Sequence, residues 1–230
     1  MNSPLESVAL FRIGPVPISE AILVTWVIIV VLAAASLLVT RRLSSRPGKV
    51  QAAAELIVVT IDNQIRATTG TAPAPYRAFI GTVFLFILVA NWSSLLPGVE
   101  PPTAGLETDA ALAVLVFLSV IWFGVRRHGV GGYLRSFAAP NPVMIPLNML
   151  SNLTRTFSMF VRLFGNVMSG VFVIGIVASL AGLLVPIPLM ALELLTGLVQ
   201  AYIFAVLAMV FIGAAVEGEA PDATSLGKDT

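Results

Sequence analysis

From Ala21 to Thr40 the chain runs for twenty residues without a charge. At ~1.5 Å per residue, a helix of that length matches the ~30 Å hydrocarbon thickness of a bilayer. A cleaved signal peptide is the competing reading, but it needs a basic start, and here Glu6, a single Arg12 and three prolines precede the apolar run. Composition points the same way. The 230 residues are 57% hydrophobic and 11% charged, with a mean hydropathy of +0.96, outside the range of soluble proteins, which excludes a water-soluble enzyme. A net charge of only +1 provides no general basic field for nucleic acid. The chain has no cysteine and one histidine, His128, so a thiolate site or a His-rich metal cluster is not expected, and neither is a cofactor.

Further along, Arg41, Arg42, Arg46, Pro47 and Lys49 lead into a segment in which Val50, Ala54, Ile57, Ile61 and Ile65 recur at helical spacing, with Gln51, Glu55, Asp62 and Arg66 between them. That pattern predicts an amphipathic helix lying along the membrane surface. Ala78 to Val99 is again uncharged, with Trp92 near its end, and Ala110 to Val125 is apolar until Arg126, Arg127 and His128 stop it. This third span is short, so thinning of the bilayer or snorkelling of the arginines is expected. A Gly/Pro-rich connection then precedes two long apolar segments separated by Pro186 and Pro188. The first, Leu147 to Leu184, has 38 residues without a proline. As one helix it would run ~57 Å, nearly twice the hydrocarbon core, and must tilt steeply. The expected fold is an all-α integral membrane protein. It forms a single membrane domain over 1–230, with spans at 19–40, 76–97 and 109–126, a surface helix at 48–69, and a long tilted hairpin at 147–184 and 187–217.

The segments Arg41–Arg77 and Arg126–Arg135 together hold nine Lys and Arg, whereas the N-terminus holds one and the Pro97–Asp109 loop none. By the positive-inside rule the N-terminus is outside, the C-terminus is cytoplasmic, and the loop with Glu100, Glu107 and Asp109 faces outward.

Within the first long segment, Asn148, Asn152, Arg155, Met159, Arg162, Asn166 and Ser169 follow one another in steps of 4, 3, 4, 3, 4 and 3, which puts them on one helix face. The second carries Glu193, Thr196 and Gln200 in steps of 3 and 4. An arginine at the centre of a spanning helix is unfavourable by ~2.5–3.5 kcal/mol on the insertion scale, so something must compensate Arg162. An internal salt bridge to Glu193 is one solution; a carboxylate on another protein is the other. Arg155 reads either as a snorkelling residue or as part of an ion path. Asn166 and Gln200 read as helix-to-helix hydrogen-bond glue or as ion-path residues. Asn91, Ser93 and Ser94 carry the same ambiguity. His128 reads as an ordinary interface residue.

The run Ser158-Met-Phe-Val-Arg162-Leu-Phe-Gly-Asn166-Val-Met-Ser-Gly170 resembles the signature of subunit a of F-type ATP synthases. Asn91-Trp-Ser-Ser-Leu-Leu-Pro97 and Gln200-Ala-Tyr-Ile-Phe204 are similar to two further motifs of that family, and the resemblance covers nearly the whole chain. It implies a stator subunit beside the rotor ring of c subunits, within an ATP synthase complex that includes a b-type peripheral stalk, in the bacterial inner membrane. Arg162 becomes the stator arginine, Asn166 lies near it, and Glu193 and Gln200 on the last helix line the outer access path. Half-channel lining falls to Asn91, Ser94, Glu107, Asp109, Asn148, Asn152 and Arg155. The chain departs from the family at Val171, where many relatives carry an acid or histidine. It also departs at Asn148, in place of an acid near the start of the long helix, and at Gly105, in place of an aspartate. On this reading two aqueous half-channels carry H⁺ or Na⁺, and the chain itself holds no nucleotide loop of the Walker type. The rival is a secondary transporter or channel that binds an anionic solute at Arg162; no internal repeat and no Gly/Pro break near Arg162 favour it.

Overall fold

The computed structural model describes residues 9–13, 16–41, 48–70, 72–96, 99, 101–138, 144–181 and 185–217. The described chain is a helical membrane body preceded by a short antiparallel hairpin, β1 (Ala9–Ile13) and β2 (Val16–Ser19). The helical expectation does not include this hairpin, because Ala9–Ile13 shows no strict alternation and Pro17 within the second strand argues against one.

Six helices follow. α1 (Glu20–Thr40) is apolar all round and buries only Ile28, as suits a helix surrounded by lipid. α2 (Lys49–Thr69) starts after Gly48 and ends at Gly70, whose φ of 62° is accessible to glycine and lets its N–H reach the Arg66 carbonyl at 3.0 Å. Of its expected apolar stripe, Ile61 and Ile65 are buried within the chain, whereas Val50 and Ile57 are exposed together with Leu56 and Val59. The guanidinium of Arg77 donates two hydrogen bonds to the carboxylate of Asp62, tying α2 to the start of α3. This pairing holds the Asp62 carboxyl below its ordinary range. Its small contribution to stability is therefore present above that range and fades as pH falls through it.

α3 (Ala74–Trp92) begins with Pro75 in its first turn, where a missing N–H costs nothing, and buries Tyr76, Ile80, Val83, Ile87 and Ala90. Two short 3-10 turns, Ser93–Leu95 and Pro102–Ala104, lead to α4 (Leu106–Ala138). The third span was expected to stop near 126. The helix instead continues through Arg126, Arg127 and His128 to a sharp break at Gly129, with φ 73° and ψ 165°, then resumes. Charges end an apolar run without ending a helix, since arginine is a good helix former. Beyond the break Tyr133 folds back onto Gly124, and His128 Nε2 lies 2.8 Å from the Val216 carbonyl.

α5 (Met144–Ala181) and α6 (Pro186–Glu217) form the long hairpin. Among the described residues five helices are long and apolar enough to cross a membrane. α6 is the centre of the body, packing on α2, α3, α4 and α5. Its buried face carries Ala201, Phe204, Ala205, Ala208, Met209 and Ile212. Hydrocarbon offers no hydrophobic gain for helix association, so close backbone approach over small residues must provide the attraction. Gly213 meets Thr69 of α2 in this way: a Cβ there would lie 3.2 Å from Thr69 Cγ2. Substituting Gly213→Leu is expected to destabilise the α2–α6 contact by ~1–3 kcal/mol. Thermal unfolding of the detergent-solubilised protein checks this, Gly213→Ala having a smaller effect.

Candidate functional site

Three polar groups at the end of the bundle where α3 turns toward α4 are drawn together by α6. Asn91, in the last turn of α3, is 5% exposed. Its Nδ2 donates to the Gly197 carbonyl of α6 at 3.0 Å, and its Oδ1 accepts from the Thr103 hydroxyl at 2.8 Å. Both ends of the amide are thus used, as burial requires. Trp92 Nε1 donates to the Leu194 carbonyl at 3.2 Å, a second tie between α3 and α6. The approach needs Gly197, since a Cβ there would sit 3.0 Å from Asn91 Cβ.

Glu193 lies one turn before Gly197 on the same helix. Its carboxylate is within hydrogen-bonding reach of the Ser94 hydroxyl, whose single O–H is otherwise given to the Asn91 backbone carbonyl at 2.8 Å. On the other side it rests on Gly170 of α5, where a Cβ would come within 2.7 Å of Glu193 Oε1. A glycine in the Asn166-Val-Met-Ser-Gly170 run therefore makes the space that the carboxylate occupies. Gln200, 6% exposed, continues the same helix two turns further. The structure thus joins Asn91, Ser94 and Glu193, and adds Thr103, Gly170 and Gly197, which residue-type reasoning passed over. Thr103 carried no signal, since one hydroxyl in a Pro/Gly loop is unremarkable. Gly197, one turn after a lone acid in an apolar helix, was the signal available.

Asp109 and Glu107 part company. Two residues apart in the first turns of α4, they point to different faces. Glu107 is exposed. Asp109 has no exposed surface and lies on the buried face with Leu112, Ala113 and Val116. Neither of its carboxylate oxygens has a hydrogen-bond partner among the described residues. Glu100 and the side chains of Asn148, Asn152 and Val171 lie outside the described residues.

Along α5 the buried seam is Met159, Leu163 and Val167. With ~100° of rotation per residue, the polar stripe falls on the flank of this seam. Arg155, Arg162 and Ser169 are exposed, and Asn166 is half-buried. Met159, counted with the stripe by spacing, turns inward, because at ~100° per residue it stands on the side of the stripe nearest Leu163. Arg162 and Arg155 line an open groove of about 570 Å³ with Leu207 and Phe211 of α6. The guanidinium of Arg155 sits 5.6 Å from the centre of the Phe211 ring. Among the described residues Arg162 has no ion pair or hydrogen bond, so the internal bridge to Glu193 is not formed. Chemically, the hairpin presents a fixed cation on an open face and a sheltered carboxylate. No cluster of three or more His, Cys, Asp or Glu capable of holding a metal ion occurs among the described residues.

Two changes separate structural from functional polar groups. Asn91→Ala removes one amide and strands the Thr103 hydroxyl, and is expected to lower stability by ~1–3 kcal/mol in thermal unfolding. Asp109→Leu replaces an unpartnered buried group with an apolar one of similar size, and is expected to leave stability unchanged or raise it by ~1–3 kcal/mol in the same measurement.

The family model described as "ATP synthase A chain" matches residues 22–213. The chain is 57% identical over 215 residues to ATP synthase subunit a 2 of Bradyrhizobium sp. strain BTAi1, covering 94% of this chain and 96% of that one. It is 42% identical over 218 residues to ATP synthase subunit a of Albidiferax ferrireducens, covering 94% of each chain. ATP synthase subunit a 1 of Prosthecochloris aestuarii is 44% identical over 214 residues, covering 92% of this chain and 96% of its own. With its apolar helices, its polar groups gathered on α5 and α6, and these matches along almost its whole length, the chain belongs to the ATP synthase subunit a family and is a multi-pass membrane protein.

Proposed function

We propose that this chain is the ion-conducting stator of a rotary F-type ATP synthase, with Arg162 facing the carboxylate of a passing c-ring subunit. The observation that carries the reading is the exposed guanidinium of Arg162 on an apolar helix, without a carboxylate partner among the described residues. Such a charge in hydrocarbon is unfavourable by ~2.5–3.5 kcal/mol, and an arginine does not escape by losing its proton. A partner outside the chain removes the penalty.

The chemistry follows from that pairing. A rotor carboxylate reaching Arg162 is favoured in its ionised form, because a planar guanidinium binds it through two parallel hydrogen bonds. Its ion leaves on one side. When rotation carries the carboxylate away into lipid, desolvation favours the neutral form, and it takes up an ion from the other side. Arg162 also repels cations and so blocks direct leakage between the two half-channels.

Glu193, Ser94, Asn91 and Gln200 serve the outer half-channel, with Asp109 as a second acid where Gly105 and Val171 replace the family's ionisable residues. Asn148 and Asn152 serve the cytoplasmic half-channel, Arg155 reaches toward the headgroups by snorkelling, and Asn166 stands one turn from Arg162. The subunit lies in the bacterial inner membrane, N-terminus outside and C-terminus cytoplasmic, held against the c ring by a b-type peripheral stalk. The steep tilt expected of the 38-residue α5 fits a helix lying along the curved face of a ring. One elementary charge crossing 100 mV releases ~2.3 kcal/mol, so several ions per turn are needed for coupled nucleotide chemistry on other subunits.

Replacing Arg162 tests this. In inverted membrane vesicles, Arg162→Ala is expected to abolish ion-driven ATP synthesis and open a passive leak through the membrane sector. Arg162→Lys should recover little, because a point charge does not reproduce the fork. Normal synthesis in Arg162→Ala, or selective loss of uptake of one anionic solute, would point to a transporter instead.

A further inference from the structure

The groove beside α5 has a second basic residue that the rotor reading does not require. Arg155 lies two turns, ~10 Å, from Arg162 toward the start of α5. Between and beside the two arginines the groove is lined by the hydroxyls of Ser151, Thr154 and Ser158, and no acid among the described residues lines it. The Thr154 hydroxyl donates to the Leu150 carbonyl at 2.8 Å, whereas those of Ser151 and Ser158 have no partner among the described residues. Arg155 has its cation–π contact with Phe211 and no carboxylate among the described residues. A ring face holds a guanidinium in place without neutralising it or accepting its in-plane N–H groups. The result is a positive, donor-rich recess without its counter-charge.

Its walls are apolar. Leu147, Leu150, Leu207 and Phe211 border the same groove, Leu147 and Leu150 being exposed. A free anion would leave these surfaces bare, whereas an amphiphile covers both parts. We infer that the Arg155 end of this groove binds an anionic phospholipid. Its phosphate meets the Arg155 guanidinium and the Ser151 and Ser158 hydroxyls, and an acyl chain lies over Leu150 and Leu207. Charge complementarity selects the anionic headgroup: basic recesses between spanning helices take such lipids, at ~1 kcal/mol per basic residue near the surface. Arg126 and Arg127, which precede α5 in the sequence, form the basic flank that the positive-inside rule assigns to the leaflet rich in anionic lipid. The role of Arg162 is not used here, so the two proposals stand or fall separately.

The test counts tightly held lipid on the intact ATP synthase complex. The complex is extracted, exchanged into mixed micelles of phosphatidylcholine and phosphatidylglycerol, and examined by native mass spectrometry. The native complex is expected to retain phosphatidylglycerol in preference to phosphatidylcholine. Arg155→Gln should weaken that retention about fivefold, with Arg155→Lys keeping most of it. Equal retention by native and Arg155→Gln complexes would overturn the proposal, as would equal retention of the two lipids. Inorganic phosphate added alone should not displace the lipid; full displacement would make the site one for free phosphate and also overturn it. Should Arg155→Gln fail to assemble, the double variant Ser151→Ala/Ser158→Ala carries the test: weaker retention of phosphatidylglycerol supports the site, and unchanged retention refutes it.

Discussion

Inside hydrocarbon a polar group has no water to fall back on, and this one constraint sorts the side chains of the chain into two kinds. Asn91 belongs to the first. Its amide is used at both ends, by Gly197 and Thr103, and it acts as a rivet between α3, the loop and α6. Arg162 and Asp109 belong to the second kind. One is exposed on a membrane helix without a partner, and the other is buried without one, among the described residues. Neither arrangement adds to the stability of the isolated chain. A group kept at such a penalty is where function is to be sought.

The central position of α6 links the two kinds. Close approach of α3 and α5 to this helix depends on small residues, with Gly197 under Asn91 and Gly170 under Glu193. The polar rivet and the sheltered carboxylate therefore rest on one packing geometry, only one helical turn apart. A bulky residue at either glycine would displace a polar side chain as well as a backbone. Stability and the candidate ion path are coupled through the same contacts, so loss of transport on mutating these glycines must be read together with assembly.

Much of the site was legible before folding, because lipid restricts sequence so strongly. Arg162 announces itself by the penalty it carries, and Glu193 is the sole acid in the apolar stretch leading to Gln200. The spacing reads as a stripe on one helix face, and of it Arg155, Arg162 and Ser169 share an exposed side. What spacing did not reveal was that the flank lies beside the buried seam, with Met159 turned in and Arg162 left out. Periodicity fixes angles between residues but not the direction in which the neighbouring helix lies. For the same reason Glu107 and Asp109 looked alike as two acids of a polar loop, although one is exposed and the other fully buried. Hydrophobicity and helicity part at Arg126 to His128, where the apolar run stops and α4 continues to its break at Gly129.

The sequence by itself determined that this is a multi-pass helical membrane protein with a charged residue held at depth. Length and hydropathy are local properties, and the bilayer turns them directly into spans. Only the tertiary structure decided who pairs with whom: Asn91 with Gly197 and Thr103, Arg155 over Phe211, Glu193 against Gly170, and nothing within the described chain for Arg162. Those contacts join residues up to 106 positions apart. They follow from how helices rotate and approach one another, and no single segment carries that information.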